Sequence, residues 1–117
     1  MLSAEQLITE LFGIIDGRRW DELGSIFADD CVYNRPGYEP IVGLTQLQQF
    51  YRHERIIASG EHKIERMVSD LGTVACWGTF VGHGKAGQPL KEDFADTYQV
   101  CDGKILSRRT YFYRAAI

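Results

Sequence analysis

The sequence predicts an α+β fold, with three N-terminal helices packed on one face of a curved, mostly antiparallel sheet. Two successive patterns carry that prediction. Apolar residues recur at helical spacing up to about Ala58, and from His62 onward the chain alternates as strands do, punctuated by tight-turn residues. Size fits the same picture. At 117 residues, with 44% hydrophobic and 25% charged residues, the chain suits one domain, 1–117, with a modest core.

From about Ser3 to Asp16, Leu7, Ile8, Leu11, Phe12 and Ile15 share one helical face, with Ser3 and Gln6 spaced as a capping box. Gly17 breaks this helix. Trp20, Leu23, Ile26 and Phe27 continue at helical spacing to Ala28-Asp29-Asp30, which predicts a second, shorter helix packed on the first. A short strand over Cys31 to Arg35 ends at Pro36-Gly37, and a loop over Pro40 to Gly43 leads to a third helix from about Leu44 to Ala58. Thr45 or a neighbour caps that helix, Leu47, Phe50, Tyr51 and Ile57 form its stripe, and Gly60 closes it. Four antiparallel strands follow, at about His62 to Ser69, Val74 to His83, Leu90 to Cys101 and Lys104 to Tyr113. Asp70-Leu71-Gly72, Gly84 to Gly87 and Asp102-Gly103 make the turns.

The net charge of −3 contains no block of like charge, and Arg18-Arg19 and Arg108-Arg109 are isolated pairs. Nucleic acid and membrane surfaces are therefore not expected partners. No apolar run approaches the roughly 20 residues of a membrane span and no secretory leader pattern is present, so a cytoplasmic location is the expectation. Cys31, Cys76 and Cys101 are far apart and read as small sheet or core residues. His53, His62 and His83 show no metal-ligand spacing, and no metal site or cofactor is expected. His53 and His62, beside Arg55 and Glu61 at the end of the third helix, are expected in surface or capping roles.

The last third of the chain carries the functional signal. Asp96 is a lone carboxylate in a strand of apolar and aromatic residues, between Phe94 and Tyr98 on the same strand face. A buried acid is costly unless it is paired or functional. Desolvation disfavours its charged form, leaving it able to donate as an acid or accept as a base; the alternative is a structural Asp neutralised by a neighbouring Arg.

Several local motifs in this order resemble the nuclear transport factor 2-like superfamily, specifically its ketosteroid isomerase and SnoaL-like polyketide cyclase branch. The matching pieces are Phe27-Ala28-Asp29-Asp30 before a strand and a Pro-Gly, Phe50-Tyr51-Arg52 in a helix, and Gly87-Gln88-Pro89 with Asp93 and Asp96 beyond it. Gly103-Lys104-Ile105 leading to Arg109-Thr110-Tyr111-Phe112 completes them. The resemblance implies a cone-shaped barrel with an apolar pocket between sheet and helices, in a homodimer that binds a small-molecule ligand or substrate. It places Asp96 where ketosteroid isomerases hold a protonated aspartic acid that hydrogen-bonds the developing oxyanion. The chain also departs from those enzymes. Arg35 stands at the position of their general-base carboxylate, Leu11 at that of their helix-one tyrosine, and Thr110 where epoxide hydrolases of the superfamily carry an Asp.

Alternation puts Tyr33 and Arg35 on one strand face, Trp77, Thr79, Val81 and His83 on one face of a second, and Arg108, Thr110 and Phe112 on one face of the last. The family register implies that these are pocket faces, with Phe50, Phe94 and Tyr98 as further walls. A one-residue slip in the last hairpin would turn Arg109 inward in place of Arg108. The first functional expectation is a cofactor-independent acid/base enzyme, an isomerase, cyclase or dehydratase, acting on an apolar carbonyl- or hydroxyl-bearing molecule of polyketide, steroid or terpenoid type. In it Asp96 is the acid/base, Tyr33 a hydrogen-bond donor, Arg35 the stabiliser of enolate-like charge and His83 a proton partner. The second is a non-catalytic ligand-binding or dimerising accessory protein of the same fold, with Asp96 in a buried pair with Arg. An outward face including Tyr111 and Tyr113 supplies the dimer contact in either case.

Overall fold

The structure, a computed structural model, describes residues 1–114. Helix α1 spans Ala4–Asp16, and Ser3 and Gln6 exchange both capping hydrogen bonds at its start. Its stripe of Leu7, Ile8, Leu11, Phe12 and Ile15 is buried against the inner face of the sheet. The expected second helix stops early: a 3₁₀ turn over Trp20–Ser25 gives way to strand β1, Phe27–Asn34. Residues 27–30 are strand because Phe27 pairs with Ile105 and is buried beneath the helices; that long-range pairing overrides local helical spacing.

Strand β2, Ile41–Val42, lies within the expected Pro40–Gly43 loop. Helix α2, Leu44–Gln49, is capped by Gly43 at φ 86° with no side-chain cap bond, so Thr45 does not serve. A π turn, Phe50–Glu54, ends it four residues before Ala58, closed by Arg55 N–H donating to the Phe50 carbonyl at 2.8 Å. Strand β3 then runs Ile57–Asp70, so Gly60 lies inside a strand and does not close the helix. Strands β4, Thr73–Gly84, β5, Pro89–Cys101, and β6, Lys104–Phe112, follow. Among the described residues the sheet has six strands in the order β2-β1-β6-β5-β4-β3. It is antiparallel except where β1 runs parallel to β6, and it is not closed, with β2 and β3 at its edges. No helix among the described residues is long and apolar enough to cross a membrane.

Bulges decide which residues face inward. In the β5–β6 hairpin Asp102 and Gly103 both have positive φ, as a type I′ turn needs, and Val100 pairs with Ile105 but Gln99 with Ser107. Leu106 is thus the extra residue, and it reverses the parity of everything beyond it, turning Arg108 and Thr110 inward and Arg109 outward. In β4 the inward set is Val74, Cys76, Gly78, Phe80 and Gly82, opposite to the expected one: Trp77, Val81 and His83 are exposed and Thr79 is only half-buried on the outer face. Glycine is required in the inward row. A Cβ on Gly78 would sit 1.9 Å from the Lys63 carbonyl oxygen, and one on Gly60 2.3 Å from the Phe80 ring. The inner face of β4 therefore carries little hydrophobic signal, and Phe80 fills the space its glycines leave.

Of the cysteines, Cys31 and Cys76 are buried and Cys101 exposed. Burial pushes the thiols of Cys31 and Cys76 up, to about 11 and about 12, so both are protonated packing residues at neutral pH.

Candidate functional site

Asp96 sits at the centre of the inner face with no solvent exposure. Its Oδ1 accepts from Thr110 Oγ1 at 2.6 Å. Its Oδ2 accepts from Tyr98 OH at 2.6 Å and from Arg108 Nη2 and Nε at 2.9 and 3.1 Å. Four donors suit the lone pairs of an ionised carboxylate, and the Arg108 contact is a fully buried ion pair. Asp96 raises the affinity of Arg108 for its proton against the opposing effect of burial, and burial pushes the Tyr98 phenol well above its ordinary range. Arg108 also donates from Nη1 to Tyr51 OH at 2.7 Å and lies over the Tyr33 ring at 4.6 Å.

The network has a direction. Thr110 gives its one hydroxyl proton to Asp96, so Tyr33 OH must donate to Thr110 Oγ1, 2.7 Å away, and Arg35 Nη1 donates to Tyr33 OH at 3.1 Å. Burial pushes the Tyr33 phenol up, but the Arg108 and Arg35 guanidinium groups outweigh it and hold Tyr33 below its ordinary value. With these bonds made, Tyr33 and Thr110 have no proton left for a ligand. They orient the arginines.

Beside the network is a small, partly open cavity of about 20 Å³, room for one water, lined by Arg35, Arg55, Arg108, Thr110, His62 and the rings of Phe80, Phe94 and Phe112 together with Ile57. The candidates Arg35, Phe94, Arg108, Thr110 and Phe112 therefore meet at it. Asp96, Tyr33 and Tyr98 stand behind that wall. Phe50 packs edge-on against Tyr33, Tyr38 and Tyr51 within the core. His83, Trp77 and Val81 are on the opposite face of the sheet, where none of them reaches the cavity; the glycine-bearing register of β4 puts them there.

Besides the apolar Ile57 and Phe80, two ionisable residues of the cavity wall were not expected there. His62, on β3, faces inward opposite Phe80, and its side chain is 9% exposed, which corrects the surface role expected for it. Its Nδ1 lies 2.6 Å from Asp16 Oδ1, and its backbone N–H donates to Asp16 Oδ2 at 2.8 Å. With Nδ1–H given to the Asp16 carboxylate, Nε2 carries the free lone pair. The ring is enclosed by Phe12, Phe80 and Phe94, with centroids 4.8, 4.7 and 5.4 Å away. One signal in the sequence pointed here: an acid in the last turn of α1 opposes the helix dipole, so Asp16 has a partner elsewhere that keeps it there. The second is Arg55, 5% exposed, brought inward where the π turn ends.

Burial lowers the His62 proton affinity, Asp16 opposes this, and Arg108 and Arg55 reinforce it, so the imidazole titrates below its ordinary 6.5. The neutral ring is the folded-state form near neutrality. Because the unfolded chain takes up this proton first, His62 makes the fold lose stability as pH falls below about 6.5 until the folded-state ring is itself protonated. Nitrogen NMR of the His62 ring is expected to give a midpoint below 6.5, and Asp16→Asn to lower it further by removing the opposing charge. A midpoint that stays put in Asp16→Asn would show that the contact has no electrostatic weight.

Among the described residues no group of three or more His, Cys, Asp or Glu is placed to hold a metal ion. Residues 8–108 match the sequence pattern of the SnoaL-like domain family. Among solved structures, a candidate SnoaL-like polyketide cyclase from Jannaschia sp. CCS1 superposes with a TM-score of 0.82 at 13% identity, over 94% of this chain and 85% of that one. A protein with a ketosteroid isomerase-like fold from Catenulispora acidiphila DSM 44928, in complex with trimethylamine, gives 0.80 at 20% identity over 90% and 83%. An LEH-like epoxide hydrolase from M. tuberculosis gives 0.81 at 22% identity over 93% and 81%. Identities this low establish the shared fold alone. A search of curated protein sequences finds no match.

Proposed function

This chain belongs to the SnoaL-like domain family, and from that premise we propose that it is a cofactor-independent acid/base enzyme, an isomerase, cyclase or dehydratase, acting on an apolar small molecule that bears a carbonyl or hydroxyl group. The observation that carries this reading is the His62–Asp16 pair at the wall of an arginine-lined cavity. A neutral imidazole whose tautomer is fixed by a carboxylate is a general base near neutral pH. His62 Nε2 takes a proton from carbon beside the carbonyl, the guanidinium groups of Arg35 and Arg108 stabilise the enolate-like oxygen, and the imidazolium returns the proton to carbon or to a leaving hydroxyl. Asp96 positions Arg108 through their ion pair and does not itself touch the substrate. The enzyme reading is tested with a panel of apolar enolisable ketones and hydroxyketones, comparing wild type with His62→Gln; turnover that survives the substitution unchanged sinks it.

The saturated Asp96–Arg108 pair supports a second reading, a ligand-binding or accessory protein of the same fold. It predicts no turnover with any member of that panel in wild type.

We also propose that the outer face of the sheet forms a homodimer contact. Trp77, Val81 and Tyr111 are 40%, 56% and 50% exposed there, and Trp77, Ala95, Tyr111 and Tyr113 border a groove of about 450 Å³. Sedimentation at micromolar concentration is expected to show a dimer that Tyr111→Glu converts to monomer. A monomeric wild type would remove this assignment.

A further inference from the structure

We propose that the arginine-lined cavity receives a carboxylate, so that the ligand is an apolar acid whose anionic head group is held by Arg55. The inference rests on the reading of this cavity as the ligand site, and it adds a charge requirement that the family and the acid/base chemistry leave open.

Three guanidinium groups, Arg35, Arg55 and Arg108, line the cavity, and among the described residues no carboxylate does. The buried acids nearby are committed: Asp96 to Arg108, Glu92 to Arg114 at 2.9 Å, and the partly buried Asp16 to His62. Arg55 is the group left over. It is 5% exposed, it has no ion pair among the described residues, and its Nε–H has no acceptor. Among the described residues the faces of Tyr51 and Phe80, with centroids 5.3 and 5.9 Å from its guanidinium carbon, offset the loss of water. Burial, with the Arg35 charge adding to it, holds Arg55 down at about 10, still protonated at neutral pH. A desolvated cation with an orphaned donor opposes folding unless an anion completes it.

A guanidinium fork matches a carboxylate in shape as well as charge. The volume of about 20 Å³ admits the first oxygen of a carboxylate, and the second needs Phe94 and Phe112 to move aside. The head group therefore enters at Arg55, while the apolar body displaces side chains along the Phe94 and Phe112 wall. A neutral amide of the same shape carries no charge to offset that of Arg55 and sets an N–H donor against the guanidinium, so it does not substitute for the acid.

The test is an NMR titration of the purified protein with benzoate and, separately, benzamide. Benzoate is expected to shift the Arg55 Nε–Hε signal saturably and to raise the His62 titration midpoint, because an anion beside the ring favours the imidazolium. Benzamide is expected to do neither. Arg55→Gln is expected to weaken benzoate binding about tenfold or more, the loss of a charged hydrogen bond, without lowering the melting temperature. Failure of benzoate to move either signal, equal shifts with benzamide, or unchanged binding by Arg55→Gln overturns the proposal; if Arg55→Gln does not fold, the contrast between benzoate and benzamide decides. These are binding readouts. A protein that binds benzoate through Arg55 yet turns over no substrate keeps this inference and loses the catalytic one.

Discussion

Replacing Asp96 by Asn is expected to lower the stability of the fold by about 3–5 kcal/mol, the cost of breaking a buried ion pair from one side. The substitution leaves the Arg108 guanidinium buried without its counter-ion, and Arg108 is 4% exposed. It also disturbs the hydroxyl chain. Thr110 and Tyr98 both donate to Asp96, and an amide can accept at only one atom, its nitrogen bringing two further donors against the Arg108 nitrogens. Urea unfolding of Asp96→Asn measures the loss. The double variant Asp96→Leu with Arg108→Met removes both charges and is expected to recover much of it, because an apolar pair of similar volume avoids the desolvation cost. If Asp96→Asn folds as stably as wild type, the pair does not hold the inner face together and Asp96 returns as a candidate acid.

The larger functional effect is expected at His62. With substrate in hand, His62→Gln is expected to reduce kcat by 10²- to 10⁴-fold, the usual contribution of a positioned general base. Gln keeps a polar group beside Asp16, so the fold survives. The pH dependence separates this role from a structural one. In wild type, kcat/KM is expected to rise with pH through a midpoint below 6.5, as the free imidazole forms, and to reach its plateau near neutrality. Asp16→Asn is expected to move that limb to lower pH, in step with the shift seen by NMR. A rate that follows protein stability alone, with no acid limb below 6.5, would leave His62 a packing residue.

Most of the fold was legible because it is written in short-range chemistry. The Ser3–Gln6 box, the α1 stripe and the Asp102-Gly103 turn depend on residues within a few positions of one another. So does the grouping of Phe94, Asp96 and Tyr98 on one face of β5. The errors fall where a distant partner decides. Phe27 carries helical spacing yet pairs with Ile105 of β6, and Ile57, expected on the stripe of the third helix, pairs with Gly84 of β4.

The site divides in the same way. The sequence by itself determined that Asp96 lies inside a sheet among aromatics, with Arg35 and either Arg108 or Arg109 as its candidate ion-pair partners. Only the tertiary structure decided that Arg108 is the partner. The bulge at Leu106 sets the parity of β6, and no local pattern distinguishes a bulged strand from a regular one. The structure also brought His62 to Asp16 across 46 positions and exposed His83. Facing direction in a strand changes with every residue, so one inserted position or a row of inward glycines exchanges the two faces, and only the packing of the finished sheet against its helices fixes which face is buried.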